Sequence, residues 1–248
     1  MKVLFLAAWY PDRYDAMSGL FVRKHAEAVS RFCNVSVLYF VADSNVSDFE
    51  VVEQSTNGVV EVYVYYPYLK GAFRRPSKLL NYIRAFVKGY RYLFDHWGKP
   101  DVCQANVMTR CAVLAYFIKF LYGIPYVIVE HWSRYLPQDF HFTGVPRKWA
   151  TKFVVRRAGY VLAVSQVLKD AMLSLGLSNP KFGVVNNVVD DRYYADLTSN
   201  PKGKIKILHV SCFDEPSKNL KGILDAVSLL SKQTIVGPLS GRKTNTVV

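Results

Sequence analysis

Apolar residues along this chain follow two alternating rhythms. Short, dense runs come first: Lys2–Ala8 (KVLFLAA), Val35–Val41 (VSVLYFV), Val59–Tyr66 (VVEVYVYY), Pro125–Val129 (PYVIV), Tyr160–Val164 and Ile205–Val210. Each is too short for a helix and ends at a polar or glycine-bearing stretch, which predicts strands. The first run is apolar at almost every position, as expected for a strand buried on both faces of a parallel sheet. Asp101–Ala105 and Phe182–Val185 read as two further short strands.

Between these runs the spacing changes to that of amphipathic helices. Leu20–Phe32 places Leu20, Val22 or Phe21, Ala26 and Val29 on an inner side. Pro76–Trp97 is helical by length and by the spacing of Leu79, Leu80, Ile83, Phe86 and Val87. Helices are also expected over Met108–Tyr122, over Pro146–Arg157 with proline in the first turn, and over Asn219–Leu230. Ser165 can cap a helix over Gln166–Leu175 that stops at Gly176. Asp43–Asn57, Arg134–Val145 and Asn186–Lys204 are polar and read as loops or linkers.

Strands that alternate with helices predict an α/β fold, a doubly wound parallel sheet with right-handed crossovers. In such sheets ligands bind beyond the carboxyl ends of the strands. That rule selects three loops: Trp9–Gly19, Glu130–Val145 and Asn186–Asp190. Ser18-Gly19 opens the first helix, where backbone N–H groups can meet a phosphate; an ordinary helix start is the alternative. Glu130-His131 ends a buried strand. His131 can donate a hydrogen bond to a hydroxyl or phosphate, with Glu130 orienting it or accepting from a sugar hydroxyl; a pinned loop is the alternative. Asn187 lies in a stretch that can touch a ligand or simply turn the chain. Lys218 precedes the last helix and can reach a phosphate there, or sit in solvent.

Composition narrows the classes. Hydrophobic residues make up 51% and charged residues 21%, which excludes a disordered or fibrous chain. Lys plus Arg number 32 against 19 Asp plus Glu, a formal charge of +13, so an anionic partner or a solvated basic surface is expected. The excess peaks at Tyr68–Lys99, where Lys70, Arg74, Arg75, Lys78, Arg84, Lys88, Arg91 and Lys99 face only Asp95, with aromatics interleaved. An anionic membrane surface is the favoured special partner for this segment; nucleic acid is not expected. Cys33, Cys103, Cys111 and Cys212 form no metal-binding or disulfide spacing, so buried reduced thiols and a cytoplasmic location are expected. The longest apolar stretch, Cys111–Val129, is interrupted by Lys119, Gly123 and Pro125, and no targeting segment is expected. No Ser-His-Asp order, HExxH, Walker A loop or kinase signature is visible.

Five segments in order then carry a resemblance: WYPDRYDAMSGLFVRKHAEAVS, PYVIVEHW, YVLAVSQVLKDAMLSLG, VVNNVVD and KILHVSCFDEPSKNLKGILDAVSLL. Together they resemble the family 4 glycosyltransferases, which have the GT-B fold. The resemblance implies a Rossmann-like acceptor-side domain over residues 1–200. The start of a donor-binding domain would follow over 201–233, and 234–248 would be an aberrant tail. It implies sugar transfer from a nucleotide sugar with retention of configuration, in polysaccharide or glycoconjugate synthesis. No metal or other cofactor is implied, and the nucleotide sugar is a co-substrate. A glycan or lipid-linked acceptor is expected. His131 and Glu130 would be catalytic; Ser18, Gly19, Ser165 and Asn187 would bind acceptor or phosphate; Lys218 would contact the donor diphosphate. Three departures stand out: one glycine where the family often has two, no diphosphate arginine near Cys212-Phe213, and no E-x7-E motif in the donor-binding part that follows it. The resulting expectation is a truncated or frameshifted gene whose product is inactive alone, with a non-catalytic acceptor-binding or membrane-surface module as the alternative.

Overall fold

The computed structural model describes residues 1–69, 71–137, 141–187, 208–210 and 215–232. The chain divides into two compact units, Met1–Tyr194 and Ala195–Val248. Within the first, the strands are β1 (Lys2–Ala7), β2 (Asn34–Ala42), β3 (Glu50–Thr56), β4 (Val59–Tyr66), β5 (Val102–Asn106), β6 (Tyr126–Glu130), β7 (Tyr160–Ala163) and β8 (Phe182–Val184). They form one sheet in the order β3-β4-β2-β1-β5-β6-β7-β8. All neighbours are parallel except β3 and β4.

The helices are α1 (Leu20–Ser30), α2 (Arg74–Trp97), α3 (Arg110–Tyr122), α4 (Val145–Arg157) and α5 (Gln166–Ser174). One face of the sheet packs on α2, α3, α4 and α5 through Leu4, Leu6, Leu38, Ile128 and Val161. The other face packs on α1 through Val3, Phe5, Val35 and Val37. Strand β1 therefore contributes alternate residues to both cores, which is why its sequence is apolar without alternation. The expected doubly wound α/β fold is the fold observed.

The polar stretch Asp43–Asn57 corrects one expectation, because Glu50–Thr56 is the antiparallel edge strand β3. The physical signal is Asn57-Gly58, whose φ values of 51° and 80° make the tight turn that joins β3 to β4. An edge strand with one exposed face tolerates Glu53, Gln54 and Ser55, so composition hides it. Helix α3 starts at Arg110 rather than Met108 because Val107 and Thr109 hold φ values of 66° and 77°. On β4, the carboxylate of Glu61 is fully buried and accepts hydrogen bonds from Tyr10, Arg23, Gln54, Thr56 and Tyr63. This network ties α1 and the edge hairpin to the sheet.

In the second unit, α6 (Glu215–Lys218) and α7 (Leu220–Lys232) are described, so the expected last helix is present. Leu224, Leu229 and Leu230 on α7 are exposed. Half of the strand expected at Ile205–Val210 lies outside the described residues, and Leu208–Val210 are not in a strand. Cys33, Cys103 and Cys111 are free thiols, and burial pushes Cys103 and Cys111 up to about 12. No helix among the described residues is long and apolar enough to cross a membrane.

Candidate functional site

The carboxyl ends of the strands are stitched into one edge by backbone hydrogen bonds. Ala8 donates to Asn106, Val107 to Val129, Val164 to Glu130 and Val185 to Ala163. These bonds align the residues that follow β1, β5, β6, β7 and β8. The edge therefore gathers Trp9, Met108, His131, Ser165 and Asn186-Asn187, of which Trp9, His131 and Asn186-Asn187 belong to the three loops selected from the sequence.

Glu130 closes β6 with its side chain fully buried. One carboxylate oxygen accepts the N–H groups of His131 and Trp132, and the other accepts the N–H of Met108. Burial pushes the Glu130 carboxyl up to about 7 even though these donors, and Arg134, pull it down. Its oxygens are occupied by backbone, so in this structure Glu130 fixes two loops and does not face an open site. The loop it holds includes Val107 and Thr109, whose positive φ is strained for β-branched residues.

His131 packs at a tilt against Phe21 at 4.5 Å and meets the edge of His25 at 5.3 Å, centroid to centroid. Burial first, and the neighbouring His25 second, push His131 down to about 4, so its imidazole is neutral at pH 7. Burial likewise lowers His25. The Asn187 amide lies close enough to oppose both shifts. By distance and angle together, no well-aligned hydrogen bond reaches either nitrogen of His131 or Nε2 of His25 among the described residues, and Asn187 is the polar side chain that acts on both rings. Buried imidazole nitrogens without well-aligned partners are costly unless something else meets them. His25 is not among the residues that the sequence singles out. Its signal was a polar residue on the inner side of α1, three positions after Val22 and next to Ala26.

Gly19 precedes α1 with φ 61° and ψ 24°, in the left-handed region. A Cβ there would run into the Trp9 carbonyl and the Tyr10 nitrogen, so the loop after β1 can close on itself only with glycine. Ser18 sits beside it, but its backbone N–H donates to Asp15. Ser165 accepts the Leu168 N–H and caps α5, using the oxygen expected to do so. Trp9 and Trp132 pack edge to face at 4.7 Å, joining the first loop to the one after β6. The structure thus brings His131, Asn187 and the newly found His25 together, and lines Ser165 up along the same edge. Lys218 is exposed at the end of α6 in the second unit. No three His, Cys, Asp or Glu side chains among the described residues group to hold a metal ion.

Comparison with known proteins agrees with this fold. Sucrose-phosphate synthase from Thermosynechococcus elongatus is similar in structure, with a TM-score of 0.51 and 14% identity over 75% of this chain and 47% of that one. An E. coli structure described as trehalose-6-phosphate bound with UDP-2-fluoro glucose is similar at a TM-score of 0.50 and 10% identity, over 81% of this chain and 52% of that one. The chain spans about half the length of these two proteins, and at such identities the likeness is one of fold. No curated protein sequence matches the chain. A sequence model described as Glycosyltransferase Family 4 matches residues 21–193, which run from α1 through the edge that holds His131 and Asn187. On that match, over most of its length, the chain belongs to glycosyltransferase family 4.

Proposed function

We propose that this chain forms the acceptor side of a glycosyltransferase that moves a sugar from a nucleotide sugar to an acceptor in polysaccharide or glycoconjugate synthesis. The observation that carries this reading is the His131–His25 pair, whose buried ring nitrogens meet no well-aligned hydrogen bond and lie beside Asn187 at the carboxyl edge of the sheet. The fold-similar E. coli protein holds a nucleotide-sugar analogue, which supports the donor class. A neutral imidazole can donate from one nitrogen and accept at the other, so His131 suits a sugar hydroxyl better than a phosphate. Gly19 lets the loop after β1 bring its backbone close to the reacting groups. Glu130 is a positioning residue, holding the His131 backbone from below. Negative charge grows on the departing diphosphate, and Lys218 supplies a cation to meet it.

The test is NMR of the full chain carrying 15N-labelled histidines, titrated with nucleotide sugars and with glycan acceptors. Saturable shifts of the His131 and His25 rings are expected. Their indifference to every donor and glycan, in a chain that remains folded, would overturn the reading.

A specific observation favours a second reading. Helix α2 exposes Arg74, Arg75, Arg84, Lys88 and Arg91, which suits a module that rests on the inner, anionic face of a membrane.

A further inference from the structure

The same carboxyl edge carries another concavity, where β1, β2 and β4 end. This cavity of about 380 Å³ takes its polar groups from Tyr39, Tyr66, Lys78 and Arg110. It shares Leu79, Tyr82 and Arg110 with a groove of about 430 Å³ between α2 and α3. Both volumes fall in the range of small-molecule sites. The groove is lined almost wholly by apolar side chains, and Leu79, Ile83, Phe117 and Leu121 stand 63%, 48%, 49% and 65% exposed along it.

Two features say what covers it. First, Lys78 and Arg110 take part in no ion pair among the described residues. Arg110 is nonetheless close enough to Tyr66 to oppose the burial that pushes that phenol up to about 12. Lys78 lies over the Tyr68 ring at 4.5 Å and Arg110 over the Tyr82 ring at 6.0 Å, and two cations with aromatic but no carboxylate partners at the mouth of an apolar groove fit an anion attached to a hydrocarbon. Second, α2 runs along the groove with Arg74, Arg75, Arg84, Lys88 and Arg91 exposed. A second copy docked by the same face would bring two such helices together, and their like charges would repel. The start of α3 is also fixed, since Glu130 holds the Met108 N–H two residues before Arg110.

We propose that the joined cavity and groove bind an anionic amphiphile, its phosphate-like head held by Lys78 and Arg110 and its apolar chain lying between α2 and α3. This deepens the acceptor-side reading above and rests on it, naming a lipid-borne anion as the acceptor class. The head lies at the strand ends, where a sugar would be received, and the chain leads away over the basic surface.

Calorimetry on the full chain tests this with dodecyl phosphate below its micelle concentration, beside dodecanol and inorganic phosphate. Dodecyl phosphate is expected to bind saturably, one per chain, and more tightly than either control. The double variant Lys78→Ala, Arg110→Ala is expected to lose about tenfold or more in affinity for dodecyl phosphate and little for dodecanol. Ile83→Glu, at an exposed position that leaves the core intact, is expected to weaken dodecyl phosphate by a similar factor. Equal affinity for dodecanol would overturn the proposal by showing a plain greasy patch. Full competition by inorganic phosphate at the same affinity would reduce it to a head-group site. A ligand-free dimer that buries the groove, or binding to phosphatidylglycerol vesicles without binding of monomeric dodecyl phosphate, would assign the face to another occupant. No sugar donor is present, so failure here leaves the His131 test untouched.

Discussion

At the scale of single residues, Glu130 and His131 give opposite pH signatures. Glu130 titrates near 4.5 when exposed and near 7 in the fold. Between those values the native state holds an extra proton, so stability is lost as pH rises through about 7. His131 titrates near 6.5 when exposed and near 4 in the fold, so stability is lost as pH falls from about 6.5 towards 4. Glu130→Gln removes the first effect. The stability difference between variant and parent is therefore expected to move in the variant's favour as pH rises from about 4.5 to about 7, read by urea titrations across that window. Glu130→Ala has a different outcome. It leaves the N–H groups of Met108, His131 and Trp132 without their buried acceptor, and is expected to cost about 3 kcal/mol or more in the same assay. Gly19→Ala combines a left-handed backbone with a clash against the Trp9 carbonyl. A loss of at least about 2 kcal/mol is expected on denaturation, and a smaller loss would mean that the first loop can open without strain.

At the scale of elements, contacts override local preference. Gly89 sits inside α2, where alanine is the better helix former by about 1 kcal/mol. A Cβ at Gly89 would come 2.6 Å from Val64 and 2.8 Å from Leu38, because α2 lies directly on β4 and β2 at that point. Gly89→Ala is therefore expected to destabilise the chain by about 1–3 kcal/mol, measured by thermal unfolding. A neutral or stabilising result would show that α2 can lift from the sheet. The aromatic content of α2 divides in the same way. Tyr82, Phe86, Tyr90 and Tyr92 pack into or against the core, while the basic residues stay outside. The interleaving read from sequence is thus two faces of one helix, one for folding and one facing outward. The edge hairpin makes a companion point, because its register depends on Asn57-Gly58 and its polar β3 is held by Gln54 and Thr56 bonding to Glu61.

For the whole molecule, the formal charge of +13 is the property with the longest reach. Salt at about 0.1 M confines an exposed charge to a range of about 10 Å. If α2 rests on an anionic bilayer, flotation with phosphatidylglycerol vesicles should recover the chain at low salt and lose it as salt rises. Vesicles of neutral lipid should recover little at any salt. Binding that ignores salt, or no binding, would remove the membrane-surface reading while leaving the acceptor-side reading in place.

The sequence by itself determined the alternation of strands and helices, the doubly wound sheet and the loops at its carboxyl edge. These follow from local patterns: β1 must be apolar throughout to lie between two layers, and Ser165 can cap α5 because a hydroxyl meets the free N–H of Leu168. His131 and Asn187 were visible as residues just after strands. Their meeting with His25 was not, because it depends on α1 lying against the edge of β6, a contact between positions about a hundred residues apart. Glu130 shows the same limit. Its type and place suggested a group facing ligand, and only the tertiary structure revealed that three backbone donors already surround it. Local periodicity decides which face of an element is apolar. What that face meets, and whether a polar group on it is left without a partner, is decided only when distant segments pack together.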